Sequence, residues 1–493
     1  MDGLEHGVAM ILTWIVFLPL LGAGVILAIP KEKVKAIRAH ALAATILSGL
    51  LGLHLLIHFK PAQAGMQFVE NVAWIPQIGV AYHLGIDGIS FLMVELTLLL
   101  SVIACIASFG IQERVKEYFI LYLLLVTGML GTFCALDLFL FYIFWEVVLV
   151  PMYFLIGIWG GPRKAYAAIK FFLYTLAGSV FMLLGILGLY FASQPHTFDI
   201  VALGEAGRTF PLAFQIIIFV ALYLGFAIKV PIFPFHTWLP DAHVEAPTPI
   251  SVLLAGVLLK MGAYGFFRIS FPILPAAAKY FALPLAILGV INIVYGALVS
   301  MAQTDFKRMV AYSSVSHMGF VLLGLASFTS YGFNGALLEM FNHGTITGGM
   351  FLLVGVLYDR THTRDMNQFG GLGARIPVYA GILCAFSLAS LGLPGMSGFV
   401  SEFLCFLGAF IPFKALTIVA VTGLVFTAAY ILRMVERVLL GELNPKWAGL
   451  SDMTAREMVT LLPLLAIVVA VGIYPLLILQ YSFPILDALL ARW

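Results

Sequence analysis

Four charged residues, Glu146, Lys229, Lys260 and Glu402, lie inside apolar runs long enough to cross the hydrocarbon of a bilayer. A charge at the bilayer centre costs at least ~2.5–3.5 kcal/mol on insertion scales, so such residues are rare and usually mark an ion or proton path. Two acids and two lysines spread along one chain read as a proton relay. His317 and His343 also fall mid-span. A lone buried histidine is usually a satisfied hydrogen-bonder, but beside acids and lysines on neighbouring helices it can act in a proton wire. Glu95 and Glu339 are further lone acids in apolar segments. Glu339 precedes His343 by four residues, so the two share a helix face. Lys170, near the start of its span, reads instead as a lysine snorkelling to the interface.

The elements that must hold these residues are membrane helices. Of the 493 residues, 62% are hydrophobic and only 10% charged, with a mean hydropathy of +1.06. The charged share is well under half of the roughly 25% usual in soluble domains. About fourteen apolar runs recur along the chain, most near the ~20 residues that a spanning helix needs. Backbone polar groups cannot stay unpaired in lipid, which leaves helices or a closed barrel. The runs are far longer than the ~10-residue alternating segments of a barrel. The fold class is therefore an all-α polytopic membrane protein, with no loop large enough to hold a soluble domain.

Two spans are long and interrupted, at Lys229-Val230-Pro231-Ile232-Phe233-Pro234 and at Leu391-Gly392-Leu393-Pro394-Gly395. Proline and glycine open the backbone ladder of a helix. Each break falls in the fourth helix of a five-helix set, which points to two inverted repeats with discontinuous helices and ion sites at the breaks. The expected organisation is N-terminal helices over 1–116, a first repeat over 117–271, a second over 279–440, and a loop with a last helix over 441–493. The ordinary alternative at Lys229 is a lysine capping the carbonyls freed at the half-helix end. That role and proton carriage are compatible.

Orientation follows the distribution of Lys and Arg in the loops. With the N-terminus outside, 17 of the 26 cations face inward and 6 outward, leaving Lys170, Lys229 and Lys260 in the membrane. Both termini are thus expected outside. The N-terminal Met1-Asp2-Gly3-Leu4-Glu5-His6 is acidic where a secretory signal would be basic, so the first run is expected to be retained.

Other signals carry less. Cys105, Cys134, Cys384 and Cys405 lie in apolar segments without a C-x-x-C pair and read as small buried hydrophobes. The glycines at 370–373 and 392–398 do not follow a strand, so they are not dinucleotide loops. His236, Asp241 and His243 lack a metal-site pattern and are expected in a proline-bounded loop. There is no P-loop, and a net charge of +2 points to no nucleic-acid partner.

Four strings carry a more specific likeness: Phe141 to Pro151 around Glu146, Lys229 to Pro249, Gln303 to Gly319, and Leu393-Pro394-Gly395. In these the chain resembles the antiporter-like membrane subunits of respiratory complex I and of the multi-subunit cation/proton antiporters. The likeness covers nearly the whole chain. The string Gly157 to Thr175 and an acid at Glu402, where other antiporter-like chains usually carry lysine, make it most similar to the M-chain branch of bacterial NADH:quinone oxidoreductase. The resemblance implies proton translocation driven by quinone reduction elsewhere in the complex. Glu146 and Lys229 would be a switchable pair, Lys260 the central carrier and Glu402 the terminal one. It also implies no cofactor in this chain, other membrane-arm subunits and neighbouring antiporter-like chains as partners, and a bacterial inner-membrane location. A subunit of a sodium/proton antiporter complex is the alternative. Glu95 and Glu339 receive no role from the resemblance.

Overall fold

The computed structural model describes residues 10–492. In chain order the main elements begin with α1 (Ile11–Ala28), α2 (Val34–His58), a hairpin of β1 (Gln67–Ile75) and β2 (Val80–Ile86), and α3 (Gly88–Ala107). The first five-helix set follows as α4 (Val115–Cys134), α5 (Leu138–Trp159), α6 (Lys164–Ala192), the broken pair α7 (Leu212–Lys229) and α8 (Trp238–Glu245), and α9 (Thr248–Ile273). The second set is α10 (Ala282–Ala302), α11 (Phe306–Ala326), α12 (Ser330–Thr361), the broken pair α13 (Pro377–Ser390) and α14 (Ser397–Phe410), and α15 (Lys414–Leu439). Two helices close the chain, α16 (Ala455–Ile473) and α17 (Leu476–Leu490).

Thirteen of the described helices are long and apolar enough to cross a bilayer, and the broken pair α13–α14 is made of two shorter apolar helices. Both breaks fall where proline and glycine lie in the sequence. The last turn of α7 closes through Val230 N–H to Phe226 C=O, and Pro231 then stops the ladder because it has no N–H to give. At the second break, Gly392 and Gly395 adopt φ of +78° and +94°, a left-handed backbone that side-chain-bearing residues avoid. The two sets match in detail. The second helix of each is capped by an aspartate, Asp137 on the amides of Phe139 and Leu140 and Asp305 on that of Arg308. Each of these aspartates also bridges to a second one beyond the third helix, Asp199 and Asp365 respectively.

The chain forms two compact units. One holds the chain up to Val230 with Val257–Phe281 and the stretch from Gln480; the other holds Pro231–Gly256 and Ala282–Leu479. The helices α9, α11 and α12, which carry Lys260, His317, His343 and Glu339, are almost wholly buried, whereas α1, α2 and α16 expose most of their apolar surface. Helices that are apolar all round and yet exposed are what lipid contact demands.

Three elements differ from the sequence expectation. The stretch 60–86 contains the two-stranded hairpin where a loop was expected. Its Glu70 accepts from Leu12 N (2.7 Å) and Thr13 Oγ1 (2.5 Å), so a strand caps the N-terminus of α1, whose own N-cap residue Met10 offers no side-chain acceptor. Burial pushes the Glu70 carboxyl above the usual carboxylate range, against the hydrogen bonds that lower it. The chain also adds α17 after a break at Pro475, where the final apolar run was read as one span. Finally, the proline-bounded segment with Asp241 and His243 is the buried helix α8 rather than a loop.

Arg268, one of the six cations counted outward from the sequence, is buried inside the first unit. Its guanidinium pairs with Asp87, which also caps α3 on the amides of Ile89 and Ser90. Arg268 further donates to Ser90 Oγ (3.1 Å) and Tyr264 Oη (3.2 Å), and Tyr264 Oη to the carbonyl of Phe133 (3.0 Å). One ion pair therefore ties α3, α4 and α9. Stranding one partner of such a pair costs ~3–5 kcal/mol. Asp87→Ala is expected to lower the amount of assembled complex sharply, and Asp87→Asn, which keeps the cap, to lower it less. Native-gel quantification with thermal inactivation midpoints checks this; wild-type values for both variants would contradict it.

Candidate functional site

In the first unit, Lys229 ends α7 just before Pro231 and is 1% exposed. The position suits a cation, because the last carbonyls of a helix carry the negative end of its dipole. Its Nζ lies 5.0 Å from the ring centre of Trp145 and 5.9 Å from that of Phe171. Glu146 follows Trp145 on α5, with Oε1 buried and without a hydrogen-bond partner. Among the described residues no direct ion pair joins Lys229 to Glu146. The ammonium rests on aromatic faces while the carboxylate stands apart, an arrangement in which a small side-chain movement would change the charge balance.

Lys260 is fully buried in Leu259–Gly265, an α-helical stretch of α9 between two π-helical segments, Leu254–Leu258 and Phe266–Ser270. Each π turn adds a residue to the helical turn and loosens the ladder, a feature frequent at functional sites. Gly262 lets this stretch press against α7. A Cβ there would lie 2.8 Å from Phe226 O and 3.0 Å from Lys229 Cβ. The Lys229 and Lys260 helices thus pack in close contact at Gly262.

In the second unit three helices converge. His317 on α11 directs Nδ1 to Glu339 Oε1 of α12 (3.5 Å) and Glu402 Oε1 of α14 (3.4 Å). All three residues are buried. The His317 Nε2 faces Ser390 Oγ at 3.5 Å, and the His343 ring lies 5.7 Å from that of His317. Ser401 Oγ donates to Glu339 Oε2 (2.6 Å), and Asn342 Nδ2 donates to Ser401 Oγ (3.0 Å) and the carbonyl of Ser397 (2.7 Å). One nitrogen and two carboxylate oxygens lie within 4.8 Å of one another, the one trio among the described residues that could hold a metal ion. The break at Gly392 makes room for Glu402: a Cβ there would fall 2.6 Å from Glu402 Oε2.

The structure thus gathers Glu146, Lys229 and Lys260 in one unit and His317, His343 and Glu402 in the other. It adds Glu339 to the second group, which the sequence left without a role. Lys307 was also missed. Beside Arg308 it reads as a loop cation, yet it is 4% exposed, and its Nζ donates to Ala246 O at 2.5 Å. Arg364 donates to Val244 O (2.5 Å), so two cations hold the carbonyl end of α8. Lys170 lies over the Tyr166 ring at 5.4 Å, and Glu95 buries an unpartnered Oε1 against Gly52 of α2.

Residues 135–429 match the protein family described as NADH:quinone oxidoreductase/Mrp antiporter, TM. The chain belongs to this family. It is 43% identical to the NADH-quinone oxidoreductase subunit M of Rickettsia bellii over 97% of its own length and 98% of the relative's. It is 45% identical to the subunit M of Rhodobacter capsulatus over 96% and 95%. A chain of the respiratory complex I from Thermus thermophilus with bound NADH superposes with a TM-score of 0.89 at 31% identity, covering 98% of this chain and 99% of that one. The resemblance to the antiporter-like, M-type membrane subunits of complex I is thereby borne out across the whole chain, and so is the fold of two inverted five-helix repeats with broken helices.

The geometry of this M-type chain makes Gly392 a sensitive point. An alanine there must adopt a left-handed backbone at a cost of ~1–2 kcal/mol, and its methyl would displace the Glu402 carboxylate. Gly392→Ala is expected to assemble but to slow proton uptake several-fold. Uptake by vesicles normalised to assembled complex checks this, and an unchanged rate would contradict a need for Glu402 at this spot.

Proposed function

We propose that the chain is the proton-translocating M-type subunit of the membrane arm of an NADH:quinone oxidoreductase. Protons pass through Glu146, Lys229, Lys260, His317, His343, Glu402 and water, driven by quinone reduction elsewhere in the complex. The observation that carries the reading is the set of buried titratable groups in each unit, with Lys229, Lys260 and Glu402 on broken or bulged helices, in a chain with M subunits among its full-length relatives. On this reading the partners are the other membrane-arm subunits and neighbouring antiporter-like chains. The chain spans the bacterial inner membrane with both termini on the outer side, as the inward bias of its cations favours.

The energetics are of the right size. Leaving one charge of a buried pair uncompensated costs ~3–5 kcal/mol. Moving a proton against ~150–200 mV costs about 3.5–4.6 kcal/mol. A change in distance between Glu146 and Lys229, from pairing to the separation seen here, can therefore decide whether Lys229 keeps its proton or passes it to Lys260. Lys229 and Lys260 act first and the His317–Glu402 group last, where Glu402 releases the proton outward. A sodium/proton antiporter subunit would share the fold and Lys229, but the full-length likeness to M subunits favours the oxidoreductase.

Lys229→Ala should lower coupled proton pumping by about tenfold or more, the factor carried by ~1.4 kcal/mol of barrier, while the complex still assembles. Normal pumping by the assembled variant would remove Lys229 from the relay. Glu146→Gln should resemble it, whereas Glu146→Asp should keep partial function because the switch needs the charge more than its reach. Near-native activity for both Glu146 variants, measured as NADH-driven uptake at equal assembly, would mark Glu146 as structural.

A further inference from the structure

Glu339 is the least expected member of the second constellation. It is 2% exposed and stands on α12 opposite Glu402, with the same nitrogen, His317 Nδ1, between them at 3.5 and 3.4 Å. Two ionised carboxylates around one imidazolium would leave a net negative charge in a water-poor interior. A neutral cluster therefore holds two protons among the three groups, whichever groups carry them.

The hydrogen bonds around Glu339 accommodate either state. As drawn, Ser401 Oγ donates to Glu339 Oε2 at 2.6 Å. The same hydroxyl has a second acceptor, the carbonyl of Gly398, at 3.1 Å. If Glu339 is protonated, its own O–H can donate to Ser401 Oγ while the serine hydrogen turns to Gly398 O. Asn342 Nδ2 donates to that hydroxyl oxygen in both cases, at 3.0 Å. A serine has one hydrogen and two lone pairs, so this rotation leaves no partner unsatisfied.

We propose that the terminal proton-carrying site of this chain is a two-carboxylate site, in which Glu339 and Glu402 share a proton through His317. In the step, the imidazolium first passes its Nδ1 proton to Glu339 Oε1, and the same nitrogen then takes the proton of Glu402 Oε1, so the cluster stays neutral throughout; only O–H and N–H bonds break and form. Glu339 is thus a second carrier that can keep the site titratable when Glu402 is neutralised. This inference rests on the proton-carrier reading of Glu402 given above.

The test compares Glu339→Gln, Glu402→Gln and the double variant in the whole complex in membrane vesicles, by NADH-driven proton uptake per assembled complex. Glutamine is near-isosteric and its amide oxygen can still accept from Ser401, so assembly should be retained. Glu339→Gln alone is expected to cost about twofold and Glu402→Gln to leave a measurable residual rate. Adding Glu339→Gln to Glu402→Gln should cost about tenfold more, a non-additivity of the size seen within one hydrogen-bonded network. An H2O/D2O-sensitive carboxylic-acid band in the infrared spectrum should weaken in each single variant and vanish in the double. Should Glu339→Gln change the rate by the same factor in both backgrounds, or Glu402→Gln alone abolish uptake, the shared site is wrong while Glu402 remains a carrier. If all three variants pump normally, the terminal-carrier reading itself falls.

Discussion

Hydrocarbon offers no water to an unpaired charge or an open backbone amide, and this constraint orders the rest of the molecule. It leaves helices as the usable element. It also makes each buried ion costly unless a partner, a dipole or an aromatic face stands beside it. Lys229 shows the solution in one place: the helix stops at Pro231, the lysine takes the negative helix end, and Trp145 and Phe171 supply ring faces. The second unit answers with hydrogen bonds, where His317, Glu339, Glu402, Ser401 and Asn342 form one connected cluster.

The same constraint separates structural ions from functional ones. Arg268 and Asp87 are as buried as the relay candidates, but their groups are directly paired and further tied to Ser90 and Tyr264. Such a closed network locks helices together. Lys229 and Glu146 are left without that closure, and the Ser401 hydroxyl has two acceptors in reach. A site that must gain and lose protons needs partners that can be exchanged.

Much of this was legible in the sequence because membrane spans are long and their interruptions are chemically blunt. Pro231 and Pro234 after Lys229, and Pro394 between two glycines ahead of Glu402, mark the broken helices that the structure contains. What stayed hidden depends on contacts between segments far apart in the chain. The hairpin at 67–86 is fixed partly by Glu70 reaching the start of α1. Lys307 looks like any loop cation until its partner, the Ala246 carbonyl, is known. The weight of Glu339 emerges only when α12 and α14 bring it to the histidine that also serves Glu402. The π segments around Lys260 have no marker as plain as a proline.

Lys260 offers the most direct test of the whole account. It is fully buried, and the relay assigns it the carriage of a proton. Lys260→Met keeps most of its length and removes the titratable group. NADH-driven proton uptake by membrane vesicles, measured per assembled complex, should fall by about tenfold, as a lost ~1.4 kcal/mol of barrier lowering gives. Full uptake at the wild-type rate, with the complex intact, would contradict translocation through the buried lysines of this chain.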